Sequence, residues 1–205
     1  MSTYLNLMRT MIILALFAAV FGCTGSITQS NAIKNDPVDS LNFEIPADAA
    51  REKFADNPSL EKITIKNKQG YVTLEGNLLN GKKEGTWAEY NPNGTVKSLT
   101  VYSGGKKEGL YIELNGTGQF VRRISYHNNV RHGEYVEFAF PNKKEERNYV
   151  NGKIEGVVRL YYPDGKVMEE GAYKNDTRDG ISRWYGVDGK LSIEYEYKNG
   201  VLVQK

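Results

Sequence analysis

The sequence predicts an all-β protein, an elongated single-layer antiparallel β-meander built from tandem β-hairpins. Three observations carry that expectation. Glycines recur at Gly85, Gly109, Gly133, Gly156 and Gly180, separated by 24, 24, 23 and 24 residues. A second column of turn residues follows nine positions later at Gly94, Gly118, Asn142, Gly165 and Gly189, and a third precedes the first at Gly81, Gly105, Asn129, Gly152, Asp176 and Gly200. All three columns shorten by one residue between the third and fourth units, so one period governs the chain. The arms between the columns run to about five to eight residues, the length of strands and too short for stable helices.

The first element in order is a leader. Residues 1–10 carry Arg9 and no acid and run into the apolar stretch 11–21. That is the pattern of a signal peptide, here residues 1–22, and it falls short of the roughly twenty apolar residues a membrane span needs. It ends at Cys23, the only cysteine of the chain, preceded by Val20-Phe-Gly22. These residues resemble the bacterial lipobox, with the bulky Phe21 a relaxed feature. The resemblance implies that Cys23 is lipidated and holds the chain on a membrane, the outer one in a two-membrane bacterium because Thr24 and not an aspartate follows. An ordinary secretory signal with an incidental cysteine is the alternative.

Residues 24–45 are rich in Ser, Thr, Asn and Gln and read as a solvated tether. Residues 46–56 predict a short helix, with Pro46 in its first turn and Pro58 beyond its end, placed to cap the first open edge of the sheet. The expected organisation is therefore a leader over 1–22, a lipidated linker over 23–60 and a repeat domain over 61–205. Gly70 lies 24 residues ahead of Gly94 and marks a degenerate opening unit.

Each later unit repeats one chemistry. The outgoing arms, such as Thr86-Trp-Ala-Glu-Tyr90, Leu110-Tyr-Ile-Glu-Leu114 and Ile181-Ser-Arg-Trp-Tyr185, are rich in aromatic and β-branched residues, as strands are. Asp-Gly at 164–165 and 188–189 reads as a hairpin turn. Each return arm ends on an aromatic, at Tyr102, Tyr126, Tyr149, Tyr173 and Tyr197. One repeat is one hairpin, and the tyrosine columns are first of all structural, covering neighbouring rungs while leaving a polar tip wet.

The unit Tyr149-Val-Asn-Gly-Lys-Ile-Glu-Gly156, continuing as Val157-Val-Arg-Leu-Tyr-Tyr-Pro-Asp-Gly165, resembles the bacterial variant of the MORN repeat. So do Leu78-Leu-Asn-Gly-Lys-Lys-Glu-Gly85 and Tyr173-Lys-Asn-Asp-Thr-Arg-Asp-Gly180. The resemblance covers about residues 70–205 and implies hairpin repeats that contact mainly their neighbours. Proteins of this kind are often labelled YwqK-like antitoxins, so a toxin partner is one implied function. The third unit departs most, with Asn129, Pro141 and Asn142.

Composition narrows the rest. The formal charge of +2 becomes +1 when Arg9 leaves with the leader, so the basic footprint of a nucleic-acid binder is missing. No intrachain disulfide is available to one cysteine. His127 and His132 are a poor metal motif without a cysteine or carboxylate cluster. Glu145-Glu146 and Glu169-Glu170 point to opposite faces of their strands and form no shared acid/base site. The glycines are spread at repeat spacing instead of clustering into a phosphate loop. A non-enzyme without cofactor or metal is expected, with a scaffold for a protein or envelope polymer as the leading reading. An antitoxin-like protein or a structural repeat that self-associates through sheet edges are the alternatives.

The candidate site residues follow from the columns. The turns are Gly81, Gly85, Gly94, Gly105, Gly109, Gly118, Gly133, Gly152, Gly156, Gly165, Gly180, Gly189 and Gly200. Lys83, Lys107, Arg131, Lys153 and Arg178 lie near one rim and are expected to form a basic row, with neighbouring carboxylates between them and equivalent groups roughly 9.5 Å apart. The bland reading is that these charges only solvate the turn tips.

Overall fold

The computed structural model describes residues 45–203, and the leader, Cys23 and nearly all of the tether lie outside them. Every regular element in that span is a strand: β1 (Ala50–Lys53), β2 (Leu60–Lys66), β3 (Val72–Leu79), β4 (Lys82–Tyr90), β5 (Val96–Ser103), β6 (Lys106–Leu114), β7 (Phe120–His127), β8 (Val130–Ala139), β9 (Asn142–Val150), β10 (Lys153–Ile154), β11 (Gly156–Tyr161), β12 (Val167–Lys174), β13 (Thr177–Tyr185), β14 (Leu191–Lys198) and β15 (Val201–Leu202). They make one fifteen-stranded sheet in chain order, antiparallel throughout, with β10 and β11 two pieces of one outgoing arm beside β9. The fold is the predicted single-layer antiparallel meander of tandem hairpins.

The helix expected over 46–56 is corrected. Ala50–Lys53 is β1, with Arg51 opposite Ile63 and Lys53 opposite Glu61, so the sheet begins ahead of residue 61. The edge of β2 presents a row of backbone donors and acceptors, and a segment this short has too few internal hydrogen bonds as a helix to compete with them.

The two rims turn differently. On one, Asn80-Gly81, Gly104-Gly105, Asn128-Asn129, Asn151-Gly152, Asn175-Asp176 and Asn199-Gly200 all have positive φ at both residues. These are two-residue hairpin turns of the mirror-image type that matches strand twist. The tight hairpins therefore sit at the Asn-Gly column, and the Asp-Gly column closes longer loops in which Tyr162 N–H donates to Lys166 O and Gly165 N–H to Tyr162 O. Asn142 is also corrected. It has no positive φ and opens β9 opposite Ala139 across the turn Phe140-Pro141. This tighter turn accounts for the missing residue of the period, and the freed Asn142 side chain donates to Pro163 O at 2.9 Å.

All thirteen glycines named above have positive φ. Gly180 illustrates why the column beginning at Gly85 needs glycine. It lies opposite Tyr197, within the bulge that residues 179–181 of β13 make against the single residue Ala172 of β12, and a Cβ placed on it comes within 3.0 Å of Ala172.

A single layer has two faces, and they are filled unequally. One face holds Ile63, Leu74, Leu78, Trp87, Tyr102, Tyr111, Ile124, Tyr126, Tyr135 and Tyr149, all buried. This aromatic face is the core. On the other, Ala88 and Val136 are the buried apolar residues. Trp87 lies flat on Gly76, where an added Cβ would fall 2.3 Å from the ring, and its indole N–H donates to Asn77 O at 3.1 Å.

Candidate functional site

The expected basic row is where the structure departs most from the sequence reading. Lys83 Nζ sits 5.0 Å from the ring centroids of both Trp87 and Tyr102, and Lys107 Nζ 5.4 Å from that of Tyr126. The Arg131 guanidinium lies over Tyr135 and Tyr149, and that of Arg178 over Tyr173, Trp184 and Tyr197. Four of the five cations are thus folded onto the aromatic face. The fifth, Lys153, is exposed and belongs to another column, because the residue equivalent to Lys83 in the fourth unit is Ile154. A long aliphatic stem lets a turn cation bury its carbons against rings, and the ring quadrupole attracts the charge by about 0.5–2 kcal/mol depending on desolvation.

This packing alters titration. Burial, and then the charge of Lys107, pull the Lys83 ammonium below its usual range. Burial pushes the Tyr102 hydroxyl up to about 12, and burial followed by the nearby Glu137 does the same to Tyr135.

The carboxylates of the same rim clamp one turn to the next. Glu84 accepts from Gly104 N–H at 2.8 Å, Glu108 from Asn128 N–H at 2.9 Å, Glu155 from Asn175 N–H at 3.0 Å and Asp179 from Asn199 N–H at 3.1 Å. His132 holds this position in the third unit, and its Nδ1 accepts from Asn151 N–H at 3.4 Å. His127 Nδ1 lies 2.8 Å from Glu108 Oε1. Where glycine is replaced at the second turn residue, the side chain adds a bond: Asn129 Oδ1 accepts from Lys107 N–H and Asp176 Oδ1 from Ile154 N–H, both at 2.7 Å. Among the described residues no group of three His, Cys, Asp or Glu is arranged to hold a metal, and no helix is long and apolar enough to cross a membrane.

The second face carries a feature that the sequence reading missed. Cross-strand register aligns Ala88, Leu99, Ile112, Arg123, Val136, Glu146, Arg159, Glu170, Arg183 and Glu194 in one line across the sheet. Its last five members alternate in sign. Arg159 bridges Glu146 at 3.1 Å and Glu170 at 3.3 Å, and Arg183 bridges Glu170 at 3.4 Å and Glu194 at 2.7 Å. Tyrosines brace the acids from fifteen residues away: Tyr90 Oη donates to Glu75 at 2.5 Å and Tyr185 Oη to Glu170 at 2.8 Å, and Tyr161 binds Glu146 in the same way. Burial would raise the Glu146 carboxyl, but hydrogen bonds from Lys143, Tyr161 and Arg159 outweigh it and hold the group at about 2. The Tyr185 hydrogen bond is the main cause that lowers Glu170. A Glu-to-Tyr spacing of fifteen was the available sequence signal.

In the earlier units part of the same line is apolar. Ala88, Leu99 and Ile112 line up, Phe120 and Phe138 are in ring contact at 5.6 Å, and Leu110 and Phe120 remain 43% and 50% exposed.

Fold and geometry together define a class, a protein of tandem β-hairpin repeats in one antiparallel sheet. Residues 83–103, 154–175 and 178–199 match the MORN repeat variant family; these segments fall in the first, fourth and fifth units. No curated protein matches the chain. Among solved structures, the chain is similar to a crystal structure of TarM at 18% identity and a TM-score of 0.31, over 51% of this chain and 21% of that one. A variant of S. aureus TarM in complex with fondaparinux, α-GlcNAc-glycerol and UDP gives 17% identity and a TM-score of 0.32, over 51% and 22%. This chain spans about a fifth of either TarM chain, and overlap this loose carries no argument about function.

Proposed function

We propose that the chain is a protein-binding scaffold of the bacterial cell envelope, tethered through a lipid on Cys23, that receives its partner on the second face of the first three units. One observation carries the reading. The apolar line from Ala88 to Ile112 continues into Leu110 and Phe120, which stand 43% and 50% exposed on an open sheet, while the aromatic face has filled itself with its own rings and cations. Contiguous exposed apolar surface marks interaction sites. The signal-like leader and Cys23 support the envelope location, and the repeat construction supports a binding role.

Photo-crosslinking in intact cells tests the partner surface. A photoreactive residue at Leu110 or Phe120 is expected to give one discrete protein adduct, lost when Ile112→Asp is added, while the same residue at Lys190 gives none. Equal adducts from all three positions would remove the assignment. The anchor is tested separately by Cys23→Ala, expected to move the chain from the detergent to the aqueous phase in a partition assay.

A further inference from the structure

The first tight turn, Asn80-Gly81, is docked differently from those after it. In each later turn both N–H groups are taken up by the outgoing strand of the unit before. The first donates to the side chain in the column of Glu84, as described above for Gly104, Asn151 and Asn199. The second donates to the backbone oxygen one residue earlier: Gly105 N–H to Lys83 O at 2.9 Å, Gly152 N–H to Arg131 O at 2.8 Å and Gly200 N–H to Arg178 O at 2.8 Å. One period ahead of Glu84 stands Leu60, whose side chain has no acceptor. Asn80 N–H takes the backbone oxygen instead, Ser59 O at 2.9 Å, and Gly81 N–H is left with no backbone partner among the described residues.

The space around the turns follows the same pattern. A Cβ on Gly152 would meet Val130 at 3.2 Å and one on Gly200 would meet Thr177 at 3.0 Å, both at the start of the preceding outgoing strand, whereas one on Gly81 meets nothing within 4 Å. Asn80 and Gly81 are both exposed. The nitrogen that follows an asparagine is a nucleophile held close to its side chain, and glycine, without a Cβ, obstructs the attack least.

We propose that Asn80 is a self-modification site. Gly81 N attacks Asn80 Cγ and closes a five-membered succinimide, and the side-chain nitrogen leaves as ammonia with the proton that Gly81 N gives up. Water then opens the ring at one of its two carbonyls, to aspartate or, with the main chain rerouted through Cγ, to isoaspartate. The balance is one water consumed and one ammonia released, with no oxidant or reductant. Closure requires the Asn80 backbone to leave its turn conformation, so the rate reads how easily the turn opens, and Gly81 N–H has no hydrogen bond to break first. Each of the other Asn-Gly pairs is restrained at an atom the reaction uses. Gly152 and Gly200 N–H donate as above, Gly94 N–H donates to Asn91 O at 2.8 Å, and Asn115 Oδ1 accepts from the N–H groups of Thr117 and Gln119, both at 3.0 Å. Isoaspartate lengthens the main chain inside a two-residue turn whose geometry matches the strands it joins. The first hairpin, where Trp87 lies on Gly76, is therefore where the sheet loosens with age.

Peptide mapping of the full chain after incubation in warm, mildly alkaline buffer tests the site, using mass spectrometry with fragmentation that separates isoaspartate from aspartate. Conversion at Asn80 is expected ahead of Asn93, Asn115, Asn151 and Asn199. Leu60→Glu, which supplies the acceptor of the later units, is expected to slow Asn80 about fivefold, the factor for one added hydrogen bond, and to leave Asn93 unchanged. Leu60→Gln supplies a neutral acceptor and gives the same readout if the charged variant does not fold. His132→Leu, which recreates the first-turn arrangement in the third unit, is expected to speed conversion at Asn151. Circular dichroism before incubation establishes that each variant is folded. Conversion first at any of the other four asparagines, or an Asn80 rate unchanged in a folded Leu60 variant, overturns the proposal.

Discussion

The first three units and the last two share one backbone and fill it with different chemistry. The line that reads Ala88, Leu99, Ile112 in the first two units reads Arg159, Glu170, Arg183, Glu194 in the last two, with Glu146 of the third unit joining the ionic run. On the aromatic face, Trp87, Tyr111 and Tyr135 give way at the same position to Val158 and Ser182. The residues that change together are those that touch. Tyr90, Tyr161 and Tyr185 stand where Glu75, Glu146 and Glu170 precede them by fifteen, and Leu114 stands where Leu99 does. The hydrogen-bond ladder and turns are common to both regions, so they define the repeat. The facing columns are free to be apolar or ionic as long as each column agrees with itself.

Gly76→Ala tests the aromatic side of this contrast and should have the largest effect. Its Cβ meets the Trp87 ring at 2.3 Å, so a loss of about 2–3 kcal/mol is expected from overpacking. Gly171→Ala meets the movable hydroxyl of Ser182 at 2.9 Å and should cost less. Urea midpoints of the two variants that agree within error would show that the regions are packed alike.

On the second face, Val136→Ala removes a side chain with no solvent exposure and should cost roughly 1–2 kcal/mol through lost burial and a cavity. Arg159→Ala, in the ionic line, should cost about 1 kcal/mol or less, since partly exposed ion pairs contribute little. The reverse order in denaturation would mean that the ladder, and not apolar packing, holds this face.

Acid should separate the regions without mutation. The folded Glu146 carboxyl, at about 2, lies below its unfolded value near 4.3. Its contribution is therefore complete above the unfolded value and is lost as pH falls from about 4.5 towards 2. Amide exchange in β11–β13 is expected to accelerate across that window relative to β4–β6, and Glu146→Gln to flatten the difference. The smallest effect is Tyr185→Phe. It should cost about 0.5 kcal/mol and move the Glu170 carboxyl up towards its ordinary value in a carbon-detected titration.

Much of this was legible because it is written at a fixed step. Asn199-Gly200 and its equivalents state where the chain must take positive φ, and the return-strand tyrosines state where a large ring recurs. The helix expected over 46–56 failed because its alternative lay in another strand: pairing between Arg51 and Ile63 is not a local property. The basic row failed by one residue at Lys153, where a basic side chain in the wrong column stood in for Ile154. It failed in kind at Lys83, whose ammonium turns back over Trp87 and Tyr102.

The sequence by itself determined the period, the strands and the turns, because backbone dihedral preferences and residue spacing act within a few positions of each other. Only the tertiary structure decided which side chains meet. Arg159 finds Glu146 thirteen residues back and Glu170 eleven ahead through a register set by irregularities such as the one between Leu160 and Tyr161, and a single skipped residue would send each charge to the other face. The same register folds the turn cations onto the rings. None of these contacts is a property of any one repeat, since each is made between strands whose alignment exists only once the sheet is built.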